Sequence, residues 1–330
     1  MLTYVTGSLW ETLDAHVRGV EIARCGWGSK EVLSGISECL DIPSIWLCGP
    51  DGGFPPILQR IFLPKGTATP IIYNGTVVAT KYETLTAEYL LIMGVHPTDL
   101  TAPRKTQAEQ AFETLDEVLE SAGFTFANVV RTWLYMDKIL EWYDEFNDAR
   151  DAFFQKKGVF TSGFIPASTG IGSGNTLGSA VAIGALAMRP KQEDAKISVK
   201  MVDSPLQCSA LEYRKSFSRA AEITSQEGRT LLISGTASIE PSGKTIHIDD
   251  PEKQIELTMQ VVKAILESRG MDFKNAIRAI AYIKRPEYRV YWQNWLKQNN
   301  LPVTFAEEVY ADVCRDDLLF ELELDAFSAK

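Results

Sequence analysis

The sequence predicts an α+β protein built from two tandem copies of one unit, each a mostly antiparallel sheet with two helices on one face. Three observations support this class. A stretch of the chain repeats, each copy shows the same order of strands and helices, and the chain is long enough for about two domains at 330 residues with 45% apolar residues. Strand-rich runs before, between and after two helices are typical of such a unit.

The repeat is the strongest of these observations. Residues 118–135 return without a gap as residues 265–282, and eight of these eighteen positions are identical. Upstream, residues 90–94 and 231–235 share the pattern L-L-I-x-G. A match of this length and quality is hard to obtain by chance, so we interpret the chain as a duplication.

Helical spacing of apolar residues and strand-like runs place the elements of each copy. The predicted helices cover 105–122 and 142–156 in the first copy and 251–269 and 286–298 in the second. Between them, strands are predicted over 129–136 and 277–283, and 180–188 closes the first copy.

Two kinds of residue set the ends of these helices. Asp249 and Asp250 precede Pro251, which predicts an acidic cap and a proline in the first turn. Gly123 and Gly270 follow the first helix of each copy, where a left-handed residue ends a helix.

These elements predict three regions. Residues 1–65 form an N-terminal extension that packs on the first unit, since three tryptophans make it apolar; it contains a weak helical pattern at 31–40 and a glycine- and proline-rich loop at 48–56. The first unit covers 66–190 and the second, which carries the candidate acid, covers 198–330. The polar residues between the units form a linker.

Composition excludes several classes of function. The net charge of −10, with no basic run, argues against a nucleic-acid partner. Five scattered cysteines, without a CxxC pair or nearby histidines, predict reduced thiols in a cytoplasmic protein and no metal site. We find no pattern of a signal peptide or a membrane span, and we expect no cofactor.

The last strand carries the most informative residues. Phe320, Leu322 and Leu324 alternate with Glu321 and Glu323, so one face is apolar and the other holds both carboxylates. A carboxyl that is desolvated near a cation suits an acid that donates a proton beside an anionic substrate. The alternative is an edge strand with two solvated glutamates.

The core L-E-S-x-G-x-x-F-x-N-x-x-R and the closing E-x-E strand resemble the Rid (YjgF-like) family over roughly residues 70–190 and 200–327. Three stretches resemble the two-domain chorismatases of that fold: P-A-S-T-G-I-G at 166–172, S-F-S-R-A at 216–220 with S-G-T-A-S at 234–238, and C-R-x-x-L-L-x-E at 314–321. Chorismatases hydrolyse the enol-pyruvyl ether of chorismate and release pyruvate. Residues 240–244 differ from the histidine-bearing loop of that group.

The resemblance implies a homotrimer with clefts between units that bind a small organic acid, without nucleic acid or membrane. Glu321 aligns with the glutamate that donates the proton. The implied substrate-binding residues are Arg150, Thr169, Tyr213, Arg219, Gly235, Thr236, Ala237, Cys314 and Arg315. Arginine suits this task because it holds a carboxylate through two parallel hydrogen bonds.

Several of these residues have a structural alternative. Arg150 is also placed to pair with Asp148 or Asp151, Thr169 to sit in a turn, and Gly235 to serve sheet geometry alone. Cys314 is interpreted as a buried small residue rather than a nucleophile.

The repeated arginines and the second glutamate of the last strand have either a structural or a functional role. Arg131 and Arg278 occur in both copies and are expected to form structural ion pairs. Glu323 shares the face of Glu321, so it is an alternative acid.

One departure from the family pattern bears on function. Rid enzymes that hydrolyse imines hold the substrate carboxylate with an arginine two residues after a conserved proline, and these places are Ser168 and Thr304 here. Neither side chain forms a salt bridge. The alternatives to a chorismatase-like hydrolase are an enamine or imine deaminase or another small-acid hydrolase that uses the same clefts, or a non-catalytic trimer that binds a metabolite or a protein partner.

Overall fold

The fold is described from a computed structural model of the chain. It describes residues 2–34, 41–49, 55–192, 194–213 and 215–330. Part of the predicted helix at 31–40 and most of the predicted loop at 48–56 lie outside these residues.

The N-terminal residues form a sheet of their own rather than an irregular extension. Its four long strands are antiparallel or parallel neighbours in the order β1-β4-β2-β3. The elements are β1 (Thr3–Ser8), α1 (Leu9–Asp14), β2 (Val20–Gly28), α2 (Lys30–Ser34), β3 (Ser44–Cys48) and β4 (Ile57–Leu63).

The first unit follows as a six-stranded sheet with two helices on one face. Its elements are β5 (Ala68–Tyr73), β6 (Thr76–Glu83), β7 (Ala87–Val95), α3 (Arg104–Ser121), β8 (Val129–Met136), α4 (Tyr143–Lys156), β9 (Ala167–Gly172), the short strand β10 (Gly174–Asn175) and β11 (Val181–Pro190). The strand order is β5-β6-β7-β11-β8-β9, while β10 joins the N-terminal sheet beside β3.

The second unit repeats this arrangement. Its elements are β12 (Ser198–Val202), β13 (Ala220–Thr224), β14 (Gly228–Ala237), α5 (Pro251–Ser268), β15 (Ala276–Ile283), α6 (Arg289–Gln298), β16 (Glu307–Tyr310) and β17 (Phe320–Ala329). The order β12-β13-β14-β17-β15-β16 places β17 where the first unit has β11. The predicted α+β class and the duplication are confirmed.

The residues predicted to begin and end the helices do so in the structure. The Asp250 carboxylate accepts a hydrogen bond from the backbone N–H of Lys253 at 3.0 Å, and Pro251 occupies the first turn of α5. Gly123 and Gly270 have φ of +78° and +65°, so each ends its helix in the left-handed region. None of the described helices has the length and apolar character needed to cross a membrane.

The N-terminal sheet packs on both units, whereas the sequence analysis predicted packing on the first unit. One apolar cluster joins Trp27 of β2, Trp133 of β8 and Tyr282 of β15. In addition, the side chain of Arg278 donates to Gln59 of β4 at 2.7 Å. Three sheets of a single chain thus surround one common core. The homotrimer implied by the resemblance stays a prediction.

Gly94 shows how closely the N-terminal sheet approaches the first unit. It has φ of +81°, and a Cβ at this position would lie 2.3 Å from the backbone oxygen of Ser44 in β3. Gly75, in the turn between β5 and β6, has φ of +80° but no atom within 4 Å of such a Cβ. The two glycines therefore share the backbone conformation and differ in packing.

We predict that Gly94→Ala lowers the free energy of unfolding more than Gly75→Ala. Both substitutions place a side chain in the left-handed region, which costs roughly 1–2 kcal/mol. Gly94→Ala additionally forces the β3 backbone to move, a clash of the kind that typically adds about 1–3 kcal/mol. Urea denaturation of both variants measures the difference, and equal losses would contradict the described packing.

Candidate functional site

β17 lies between β14 and β15, so the alternative of an edge strand is wrong. Phe320, Leu322 and Leu324 point into the helix-covered core of the second unit. Glu321 and Glu323 point to the opposite face, yet both are buried, with exposed fractions of 5% and 0%. Two carboxyl groups in the middle of a sheet need specific partners, and they find different ones.

Glu323 is held between two arginines. Its Oε2 accepts from Arg131 at 2.9 Å and its Oε1 accepts from Arg278 at 2.5 Å. Burial acts to raise the pKa of Glu323, but Arg278 and Arg131 outweigh it and hold the pKa below its usual value. These two arginines form ion pairs inside the protein, as expected from their repetition. A fixed carboxylate of this kind is a poor proton donor.

Glu321 has the opposite character. Its carboxyl faces a cavity between the two units. Burial, and then the neighbouring charge of Glu323, raise the pKa of Glu321 to about 8. The group is therefore protonated at neutral pH, which suits it to donate a proton to a bound molecule.

Gly235 of β14 makes room for this carboxyl. A Cβ on Gly235 would lie 1.9 Å from Oε1 of Glu321, so no other residue fits without moving the acid. The backbone N–H of Gly235 also donates to Oγ1 of Thr169 at 3.1 Å. Gly235 thus serves the placement of Glu321 as well as the sheet.

The cavity in front of Glu321 has a volume of about 40 Å³. Its walls come from β8, β9 and α4 of the first unit and from β14, the end of the 215–219 segment and the 314–321 segment of the second. A backbone bridge between Ala167 and Ser218 joins the two units beside it. The site is therefore a cleft between units within one chain.

Three predicted arginines line this cavity, each with its own support. Arg150 donates to Asn147 at 2.7 Å, while its nearest carboxylate, that of Asp151, is 3.9 Å away. Nε of Arg219 donates to the backbone oxygen of Cys208 at 3.0 Å. These contacts leave both buried guanidinium groups beside the space that Glu321 faces.

Arg315 depends on the loop that departs from the chorismatase pattern. Its NH1 donates to the backbone oxygen of Gly243 at 2.9 Å and contacts Oγ1 of Thr245 at 3.4 Å. The unusual loop at 240–244 therefore orients a cation of the site instead of supplying a histidine.

The remaining predicted residues divide into two groups. Ala237 and Cys314 line the cavity, and burial followed by the charge of Glu321 raises the pKa of the Cys314 thiol to about 12, which disfavours a nucleophilic thiolate. Thr169 and Thr236 are not among the lining residues. Oγ1 of Thr169 accepts from Arg131 at 2.8 Å, and Oγ1 of Thr236 donates to its own strand at the oxygen of Ser234. The side chain of Tyr213 lies outside the described part of the chain.

The lining residues that the sequence analysis missed include a cation and a phenol group. Lys215 and Tyr143 both border the cavity, and Nζ of Lys215 lies 4.6 Å from the centre of the Tyr143 ring. Lys215 directly precedes the 216–220 stretch that carried the family resemblance, four residues before Arg219, and this position was a usable signal. Tyr143 begins α4 without any local signal, because its role depends on how the two units meet.

The first unit has no second copy of this acid. By strand register, Ala182 and Gly184 of β11 occupy the places of Glu321 and Glu323. Ala182 is completely buried in the core shared with the N-terminal sheet. The N-terminal sheet thus covers the face that forms the cleft in the second unit.

Comparisons with known proteins agree with this architecture. The family model described as Endoribonuclease L-PSP matches residues 85–185 and 208–328, one match per unit. A crystal structure of a chorismatase at 1.08 Å resolution is similar over 99% of this chain and 98% of its own, with 16% identity and a TM-score of 0.74. At this identity the similarity shows the fold alone.

Single-unit proteins match as well, each over part of this chain. A putative endoribonuclease L-PSP from Entamoeba histolytica is 18% identical and is covered completely by 40% of this chain, with a TM-score of 0.34. E. coli TdcF with bound serine is 17% identical, with 39% of this chain covering 99% of that chain and a TM-score of 0.31. No curated protein sequence matches.

We predict opposite effects on stability for Glu321→Gln and Glu323→Gln. The pKa of Glu321 rises from its ordinary 4.5 to about 8 on folding. Between these values the unfolded chain loses a proton that the folded chain keeps, so stability falls by about 1.4 kcal/mol per pH unit. Glu321→Gln removes this loss and should raise the melting temperature at pH 8, with no gain near pH 4.

Glu323→Gln is the matched control on the same strand. It leaves Arg131 and Arg278 without their carboxylate and should cost roughly 3–5 kcal/mol. Thermal unfolding from pH 4 to pH 9 measures both effects. Destabilisation by Glu321→Gln at pH 8 would contradict a raised pKa.

Proposed function

The chain belongs to the Endoribonuclease L-PSP family, and we propose that it hydrolyses the enol-pyruvyl ether of chorismate or of a related small organic acid, releasing pyruvate. The observation that carries this proposal is a buried carboxyl with a raised pKa, Glu321, at the wall of a cavity that is also lined by four cationic side chains. Enol ethers hydrolyse after protonation of carbon, so a site for this reaction needs an acid of this kind.

The reaction balances with Glu321 as the only acid required. Glu321 gives its proton to the methylene carbon of the enol ether, which leaves a positive charge shared between the ether carbon and oxygen. Water adds to that carbon, and the resulting hemiketal breaks its bond to the ring oxygen, which takes up the proton of the hemiketal hydroxyl as the carbonyl of pyruvate forms. The products are pyruvate and the ring alcohol, and the proton lost by water restores Glu321.

The charge of the cavity favours an anionic substrate. Below pH 8 Glu321 is neutral, whereas Arg150, Arg219 and Arg315 carry positive charges on the walls. Guanidinium groups bind carboxylates through paired hydrogen bonds. Gly235 and Ala237 add a wall without bulky side chains, which a flat ring is able to approach.

The similarity of the fold to that of a chorismatase supports this proposal. The family name suggests a nuclease, but the negative net charge of the chain argues against one. A net charge of −10 disfavours binding to a phosphate backbone. A homotrimer remains part of the proposal as the family-level expectation, although the cleft described above is complete within one chain.

A deaminase is the second candidate on the same cleft. Ser168 lines the cavity at the place of the arginine that imine-hydrolysing relatives use, and its Oγ accepts from Thr132 at 2.8 Å. An imino acid would therefore have to use Arg150 or Arg219 instead. Because these arginines are able to bind a carboxylate, the assay below also tests for deaminase activity.

We predict that the protein releases pyruvate from chorismate and that Glu321→Gln reduces the rate by about 10²–10⁴-fold, the usual contribution of a general acid. Glu307→Gln serves as the control, because Glu307 on β16 also has a raised pKa but is only half-buried and lines a different groove. A lactate-dehydrogenase-coupled assay measures both variants.

The outcomes separate the candidate functions. Absence of pyruvate with the wild-type protein rejects chorismate as the substrate. Ammonia release from freshly generated 2-aminoacrylate in a parallel assay would then favour the deaminase. Failure of both assays would favour a protein that binds a metabolite without converting it.

The pH dependence should follow the acid. Because Glu321 acts in its protonated form and its pKa is about 8, kcat/KM should be level at neutral pH and fall tenfold per unit well above pH 8. A stopped assay across pH 6 to 10 measures this. A rate that rises through pH 8 would indicate that the carboxylate acts as a base instead.

A further inference from the structure

A second, larger cavity lies next to the cavity in front of Glu321. This outer cavity has a volume of about 430 Å³ and is lined by the start of α4 and by the 314–316 segment. Four residues border both cavities and form the wall between them: Tyr143, Lys215, Cys314 and Arg315. The inner cavity, at about 40 Å³, holds only a few water molecules, since each needs roughly 10–15 Å³. The inner cavity alone is therefore too small for a ring-bearing acid.

Lys215 is the most weakly held cation in this wall. Its Nζ lies 3.5 Å from Oδ1 of Asp144 and over the ring of Tyr143. The Asp144 side chain is fully exposed, and ion pairs with exposed carboxylates contribute little because water screens them. Lys215 itself is only 20% exposed. It is therefore a recessed cation whose present partner is easily replaced.

The other cations are committed to the inner side or to fixed contacts. Arg150 and Arg219 are 3% and 4% exposed and line the inner cavity without bordering the outer one. Arg315 borders both, but Gly243 and Thr245 hold its NH1. Cationic side chains therefore border both cavities, and Lys215 is the one whose present partner is most easily replaced.

Four acidic residues also border the outer cavity: Glu141, Asp144, Glu145 and Asp316. Glu141 pairs with Arg104 at 2.7 Å and Asp316 pairs with Lys284 at 2.9 Å. Their side chains are 57% and 92% exposed, so solvent and salt screen their charge. Lys215 and Arg315 are the cations that line the outer cavity, and both also border the inner one.

We propose that Lys215 binds a second carboxylate of the substrate in the outer cavity, exchanging Asp144 for it, while the buried arginines hold the first carboxylate inside. The site then selects small organic acids with two carboxylates on opposite ends over monocarboxylates. This inference rests on the proposed function for the identity of the reacting group, but it concerns binding and is testable without turnover.

The test uses two aromatic acids that carry no enol ether. We expect 3-(carboxymethoxy)benzoate, a dicarboxylate, to bind the wild-type protein more tightly than 3-methoxybenzoate, its monocarboxylate counterpart, in isothermal titration calorimetry. Lys215→Met should weaken binding of the dicarboxylate about tenfold or more, the value of one charge-assisted hydrogen bond, and change binding of the monocarboxylate less than about twofold. Lys215→Arg should restore part of the loss.

Two further variants sharpen the result. Asp144→Asn removes the competing carboxylate and should tighten binding of the dicarboxylate. Lys156→Met is the matched control, because Lys156 on α4 pairs with Glu113 across the surface and borders neither cavity. It should leave both affinities unchanged.

The proposal is overturned if Lys215→Met weakens both acids equally or neither, or if the wild-type protein does not discriminate between them. Discrimination by Lys215 without pyruvate release from chorismate would retain the dicarboxylate site and reject the proposed reaction. Pyruvate release without discrimination by Lys215 would support the proposed reaction and reject the dicarboxylate site.

Discussion

The buried contact of Glu323 with Arg131 and Arg278 connects every part of this protein. Arg131 belongs to the first unit and reaches across to Glu323 and to the backbone oxygen of Ile233 in the second. Arg278 joins the same carboxylate and also donates to Gln59 of the N-terminal sheet. Since a buried charge without partners is very costly, the three sheets have to meet in this one arrangement.

The same contact sets the chemistry of Glu321. Glu323 must stay ionised to satisfy its two arginines, and its negative charge adds to burial in raising the pKa of the neighbouring acid. Two carboxyl groups two residues apart on one strand thus acquire opposite roles, one structural and one available to a ligand. The environment separates them, because their chemical groups are identical.

Duplication made this asymmetry possible. Both units retain the glycine at the end of the L-L-I-x-G strand, but the two glycines serve different contacts. Gly94 lies against the backbone of the N-terminal sheet, whereas Gly235 lies against the carboxyl of Glu321. The first unit has Ala182 where the second has Glu321, and the N-terminal sheet covers this face, so the chain holds one cleft with an acid and one closed face.

The sequence by itself determined the duplication, the class of fold and the ends of the main helices. It also placed Glu321 and Glu323 on one face of the last strand. These features depend on periodicity, caps and glycines, which act over a few residues. The repeated arginines were correctly read as internal ion pairs because repetition marks a structural need.

Only the tertiary structure decided which glutamate faces the cavity, that β17 is central, and that Lys215 and Tyr143 border the site. It also showed the N-terminal sheet on both units. Arg131 and Glu323 lie 192 residues apart in the chain, and their contact exists only once the sheets have packed. Burial and charge, which set a pKa, come from such distant neighbours, and no local pattern in the sequence records them.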